Sequence, residues 1–127
     1  MADYDAIVIG TGQAGPALTR RLVGAGWKVA IIERKLFGGT CINTGCTPTK
    51  TLIASGYAAH LTRRAAEYGL ALSGTVSVDM KAVKARKDAV TGVSRAAVER
   101  SLKTLQGCTV HEGPRQLHRT ERDQGRR

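Results

Sequence analysis

Asp5-Ala-Ile-Val-Ile-Gly-Thr-Gly-Gln-Ala-Gly15 is a short β-branched run that ends on three glycines spaced G-x-G-x-x-G. The run from Asp5 to Ile9 predicts a strand buried on both faces of a parallel sheet. After the turn, a helix is predicted to start near Gln13 or Ala14. It should bury Ala17, Leu18, Leu22 and Val23 and stop at Gly24 and Gly26. Lys28-Val-Ala-Ile-Ile-Glu33 then predicts a second strand, reached by a right-handed crossover if the two strands are parallel. In this setting Gly10 permits the tight turn, Gly12 lets backbone approach a pyrophosphate, and Gly15 allows close helix-to-strand packing. The helix N-terminus offers free N–H groups and partial positive charge to phosphates. Glu33 stands 18 residues after Gly15 at the end of the second strand, where an acid can accept hydrogen bonds from an adenosine ribose. Strand, glycines, helix and acid agree on dinucleotide binding, but they do not separate FAD from NAD.

Further along, residues 34–45 contain Gly38, Gly39 and Gly45 and read as a loop. Pro48 suits the first turn of a helix running to about Tyr68, with Gly69 as its stop. Asp79 is an N-cap candidate for an amphipathic helix from Met80 to about Leu105, with an apolar stripe of Val83, Ala89, Val90, Val93, Ala97 and Leu102. Cys108-Thr-Val-His-Glu112 predicts a third short strand. The fold class is therefore α/β: a partial Rossmann-like domain with a short parallel sheet, flanking helices and two long helices after the cysteine-bearing loop. Residues 1–113 carry this pattern. From Pro114 the text changes, with one large apolar residue, Leu117, in the last thirteen, too few to bury anything substantial.

The 127 residues leave room for one modest domain. A content of 42% hydrophobic and 24% charged residues is globular, while 4% aromatic residues leaves few rings for stacking on bases. The net charge of +10 normally points to nucleic acid or anionic surfaces. Here residues 115–127 alone contribute +3, from five arginines against Glu121 and Asp123, and the rest is scattered along helix-like segments as a solvated face. No nucleic-acid partner is expected. No run of about 18 apolar residues exists and the first residues are acidic rather than a basic leader, so the expectation is a cytoplasmic chain with no membrane partner. Three cysteines in such a chain argue against a structural disulfide framework and leave catalysis, metal binding or burial.

Gly38-Gly-Thr-Cys41-Ile-Asn-Thr-Gly-Cys46-Thr-Pro-Thr-Lys50 is the most specific stretch of the chain. Zinc needs about four ligands, and Cys108 with the three histidines supplies no second cluster, so no metal site is expected. A phosphate-binding P-loop fails because Thr49 precedes Lys50 where glycine is required. Two buried structural thiols remain the plain alternative. Against that, Cys46 stands at a helix entry, where the helix dipole and the Lys50 ammonium favour thiolate and hence redox chemistry. His60, His111 and His118 read as surface or packing residues, and Cys108 as a small buried hydrophobe.

This stretch resembles the pyridine nucleotide-disulfide oxidoreductases, the family that includes glutathione reductase, dihydrolipoamide dehydrogenase and mercuric reductase. Residues 38–50 satisfy every fixed position of the shared pattern G-G-T-C-x-N-x-G-C-x-P-[ST]-K. Around Thr47 to Lys50 the chain is most similar to the mercuric-reductase-like members.

The resemblance implies a flavin-proximal thiol at Cys46, an interchange thiol at Cys41 and Lys50 near the reactive flavin ring. It also implies FAD contacts at Gly10, Gly12, Gly15, Glu33, Arg34, Gly39, Thr40 and Lys50. NADPH or NADH would be the electron donor, a small disulfide or mercuric ion the acceptor, and a homodimer the full-length assembly. Family members are several times longer, so the chain is expected to be an N-terminal fragment that does not dimerise and is inactive alone. Where the family continues with a Gly-x-Ala-type segment, residues 114–127 are basic, which predicts a disordered or frameshifted tail.

Overall fold

A computed structural model describes residues 3–116. Its elements are β1 (Ala6–Ile9), α1 (Ala14–Gly24), β2 (Val29–Glu33), α2 (Gly39–Asn43), α3 (Cys46–Arg63), a 3-10 turn (Ala65–Tyr68), α4 (Met80–Lys103) and β3 (Cys108–Glu112). The three strands form one parallel sheet in the order β1-β2-β3, with Val29 opposite Ala6 on one side and Cys108 on the other. This is the α/β architecture expected. The central strand is the one buried along its whole length, because both its edges carry partners and Val29, Ile31 and Phe37 pack with Val8 and Leu102. The segment 117–127, most of the predicted tail, lies outside the described residues.

Several local expectations are corrected. β1 is not covered on both faces: Val8 is buried, but Ile7 and Ile9 are exposed, because no described element packs on their side. In α1 the buried residues are Pro16 and Thr19, with Leu22 and Val23 partly buried, while Ala17 and Leu18 face outward. The cause is Gly15, whose missing side chain lets the helix rest on the Gly10 carbonyl; a Cβ there would sit 2.1 Å from that oxygen. That contact fixes the helix rotation and turns the 16, 19, 22, 23 face to the sheet.

Residues 34–45 are not all loop. Gly38, at φ +92°, caps the short α2, whose Asn43 side-chain amide donates to the Phe37 and Gly39 carbonyls at 2.9 Å each.

α3 stops at Arg63 rather than Tyr68. The chain tightens into the 3-10 turn, and Gly69 in the left-handed region ends it. Asp79 caps α4 as expected, accepting from the Lys81 and Ala82 N–H groups at 2.8 and 3.1 Å. The inward stripe of α4 differs from the predicted one: it runs Val83, Lys87, Thr91, Ser94, Val98, Leu102, at helical spacing. Ala89, Val90, Val93 and Ala97 lie on the neighbouring, exposed face, with Val93 72% exposed. Choosing every apolar residue mixed two faces; the i, i+4 geometry admits one, and it passes through Thr91.

Candidate dinucleotide and disulfide site

The site lies at the carboxyl ends of the parallel strands, the position where open α/β sheets place their ligands. A cavity of about 280 Å³ opens there, lined by Ile9 and Gly10 after β1, Ile32, Glu33 and Arg34 at the end of β2, and Gly113, Pro114 and Arg115 after β3. The glycine loop forms its rim. Gly10 has φ +96°, a conformation that a side chain disfavours. Space around Gly12 is open: a Cβ there would meet nothing within 4 Å. The N-terminus of α1 follows at once, and its Gln13 cap makes no side-chain hydrogen bond, which leaves the first N–H groups available to an anion.

Glu33 is buried at the floor of this rim. Its Oε2 accepts from the Thr11 N–H at 3.0 Å and from the Thr11 hydroxyl at 2.6 Å, and its Oε1 from the Lys35 N–H at 3.0 Å. Burial pushes this carboxyl up, but the bonds from Thr11, Lys35 and Arg34 outweigh it and hold Glu33 below the usual glutamate range. Glu33 is thus an anion ready to accept further hydrogen bonds on its remaining lone pairs.

The cysteine segment leans on the same rim. Gly39, at φ +61°, approaches so closely that a Cβ on it would lie 2.8 Å from the Gly12 Cα. The Gly38 N–H donates to the Thr11 hydroxyl at 3.1 Å. Downstream, Cys41 in α2 and Cys46 at the first position of α3 are joined in a disulfide with Cα atoms 4.7 Å apart. Gly45 makes this return possible: its Cα packs over α2, where a Cβ would come within 3.0 Å of the Thr40 carbonyl and 3.3 Å of the Cys41 Cα. Cys46 is exposed and Cys41 half-buried, which leaves the bond open to an attacking thiolate.

Gly10, Gly12, Gly15, Glu33, Gly39 and the cysteine pair are therefore assembled in one region. Arg34 lines the cavity, while Thr40 and Lys50 are exposed beside the disulfide segment.

Thr11 and Phe37 escaped the sequence reading. Thr11 is 1% exposed and holds both Glu33 and Gly38, yet it occupies a variable position of G-x-G, where the pattern is blind. Phe37, the single phenylalanine, anchors the cysteine segment in the core with the Lys103 ammonium 5.5 Å from its ring centroid. Its rarity was the available signal.

The other flagged residues stand apart from the site. His60 is exposed and stacks with Tyr57, and His111 contacts the Tyr4 hydroxyl. Cys108 is half-buried beside the core, and burial pushes its thiol up. His118 lies outside the described residues.

Among the described residues, no three His, Cys, Asp or Glu side chains gather as a metal site, and no helix is long and apolar enough to cross a membrane.

The same elements recur in known proteins. The family model for pyridine nucleotide-disulphide oxidoreductases matches residues 4–125. A dihydrolipoyl dehydrogenase of Rhizobium etli is 41% identical over 95 residues, covering 75% of this chain and 20% of that protein. A mercuric reductase of Bacillus cereus is 43% identical over 90 residues, covering 70% of this chain and 14% of that protein. The solved structure of the flavoprotein disulfide reductase RclA from Escherichia coli, as its Cu(II) complex, superposes with a TM-score of 0.67 at 34% identity, over 89% of this chain and 22% of that one. The chain thus spans about a fifth of the length of such relatives. With its glycine rim, buried acid and Cys41–Cys46 disulfide joined on one parallel sheet, the chain belongs to the pyridine nucleotide-disulphide oxidoreductase family of flavoproteins.

Proposed function

We propose that this chain is the FAD-binding and redox-disulfide segment of an NAD(P)H-dependent disulfide oxidoreductase of the mercuric-reductase-like type, working in the cytoplasm. The observation that carries it is the seating of the disulfide segment on the dinucleotide rim, Gly39 against Gly12. The residues present fit a dinucleotide: backbone is open at Gly12, the start of α1 is uncapped by side chains, and an ionised Glu33 borders the cavity. Gly10, Gly12, Gly15, Gly39 and Thr40 would hold the pyrophosphate side, Glu33 and Arg34 the adenosine side, and Lys50 the flavin side. FAD bound there would supply the transfer of two electrons from NADPH or NADH to the disulfide.

The chemistry of the chain itself is thiol exchange. In the reduced pair, the Cys41 thiolate attacks an acceptor disulfide and expels one thiol. The Cys46 thiolate then attacks Cys41, re-forming the Cys41–Cys46 bond and releasing the second thiol, so two electrons and two protons pass to the acceptor. Mercuric ion is the alternative acceptor, held by both thiolates as substrate. The open flank of Cys46 and its place at the start of α3 favour the thiolate form once the bond is reduced.

A second reading rests on the change of composition at Pro114: a dinucleotide-binding module, residues 1–113 followed by a basic tail, that holds flavin but turns nothing over. A frameshift within 114–127 fits the abrupt change in composition, and sequencing the coding DNA across Gly113 tests it.

The absorption spectrum decides the main proposal. Purified chain mixed with FAD is expected to retain a visible flavin band after gel filtration, and the band should shift when the reduced pair is alkylated at Cys46. A colourless protein after FAD addition overturns the assignment. Steady NADPH-dependent reduction of a disulfide by the chain alone overturns the second reading.

A further inference from the structure

Thr11 is buried, and its hydroxyl has a forced role. The proton can go only to Glu33, an acceptor-only carboxylate 2.6 Å away, and the oxygen then accepts from the Gly38 N–H at 3.1 Å, a group that can only donate. Gly38 is three residues from Cys41 and caps α2 at φ +92°. The same Oε2 also takes the Thr11 backbone N–H, and Oε1 takes the Lys35 N–H. One buried chain of hydrogen bonds thus runs from the β2 acid to the backbone that enters the cysteine segment, and such chains polarise along their length.

We propose that Thr11 is a positioning residue that couples the adenosine side of the site to the disulfide segment, its hydroxyl tying Glu33 to the Gly38 backbone. The coupling rests on the FAD reading given above; the tie itself does not. A hydroxyl group of a ligand that hydrogen-bonds Glu33 draws on the carboxylate that orients Thr11, and so changes how firmly Gly38 is held. Reciprocally, the redox state of Cys41–Cys46 changes the affinity for that ligand by the same factor.

The test compares the full chain with Thr11→Val, which keeps the shape and loses the hydroxyl, and with Thr11→Ser, which keeps it. Amide hydrogen exchange at Gly38 is read by NMR against the Ile31 amide as a measure of global opening. Relative to Ile31, T11V is expected to speed Gly38 exchange about tenfold, the worth of one hydrogen bond in a charged network, while T11S stays within about twofold of the parent. In the parent and in T11S, added FAD is expected to alter Gly38 exchange by clearly more than in T11V, where only the direct contact at Gly39 and Thr40 remains; an equal FAD effect in T11V overturns the coupling.

Gly38 exchange that is unchanged in T11V, or raised equally in T11S, overturns the tie. FAD that binds the parent without altering Gly38 exchange overturns the coupling. Should T11V fail to fold, that parent titration and the T11S comparison decide the matter. Absence of FAD binding, read by flavin fluorescence, overturns the proposed function and the coupling with it, while the unliganded variants still decide the tie.

Discussion

The glycine loop and the cysteine segment meet at one contact but are held by different physics. The glycine loop is fixed by what it lacks: Gly15 rests on the Gly10 carbonyl, and the turn is locked from below by the buried Glu33, which accepts from Thr11 and Lys35. The cysteine segment, half-buried beyond Phe37 and Gly38, is fixed by added links: the Cys41–Cys46 bond, the Asn43 amide and the Thr11 hydroxyl. A rigid rim suits a ligand that stays bound. A segment held by a reversible bond suits chemistry that breaks it and needs it to return.

The sharpest way to break this contrast is Gly15→Val. With a Cβ placed 2.1 Å from the Gly10 oxygen, α1 must lift from the sheet, at a cost expected to exceed about 3 kcal/mol, read as a fall in the urea midpoint. A midpoint unchanged from the parent would show that the rim is not set by this contact. Next comes Gly39→Ala, which combines a left-handed backbone with a Cβ 2.8 Å from Gly12. A loss of about 3 kcal/mol or slightly less is expected in the same assay, and the two segments should part.

Reducing the disulfide, or Cys46→Ser, should cost about 2 kcal/mol, the chain entropy of closing so short a loop. The cost should appear as lost hydrogen-exchange protection in α2 and not in β2; equal loss in both would merge the two regions into one cooperative unit.

Glu33→Gln probes the rim through pH. The folded-state carboxyl titrates below its ordinary value of 4.5, so the unfolded chain binds its proton first as pH falls. The stability from Glu33 is therefore complete above about pH 4.5 and is lost as pH drops through the lower folded value. The variant should show a flatter acid limb in urea midpoints from about pH 4.5 down to the acid transition, and an identical slope would remove Glu33 from the account. Smallest of all is Lys50→Met. Lys50 is exposed, and a stability change within about 0.5 kcal/mol is expected, even where the flavin absorption of the FAD-loaded chain changes.

Much of this was legible before any coordinates. Strand, glycine spacing and terminal acid predicted β1, α1 and β2 because each uses a local rule: β-branched residues for strands, glycine for a turn no side chain permits, and an acid at a strand end. Asp79 foretold its helix in the same way. Less legible were the faces. Ala17 and Leu18 look as buriable as Leu22, and Val93 as buriable as Val98, but helix rotation is set by contacts distant in sequence. β1 was expected to be buried on both faces because its composition cannot report which neighbours are present; Ile7 and Ile9 lie open.

By itself the sequence determined the order of the three strands and the long helices and the glycine rim, which follow from residue types at fixed short spacing, while the resemblance of residues 38–50 to the disulfide oxidoreductases singled out Cys41 and Cys46. Only the tertiary structure decided that Gly39 rests on Gly12, that Thr11 is buried between Glu33 and Gly38, and that the inward stripe of α4 passes through Thr91. The physical reason is common to all of these: each depends on how closely two segments far apart in the chain approach, a distance set by packing against β2 that no local spacing encodes.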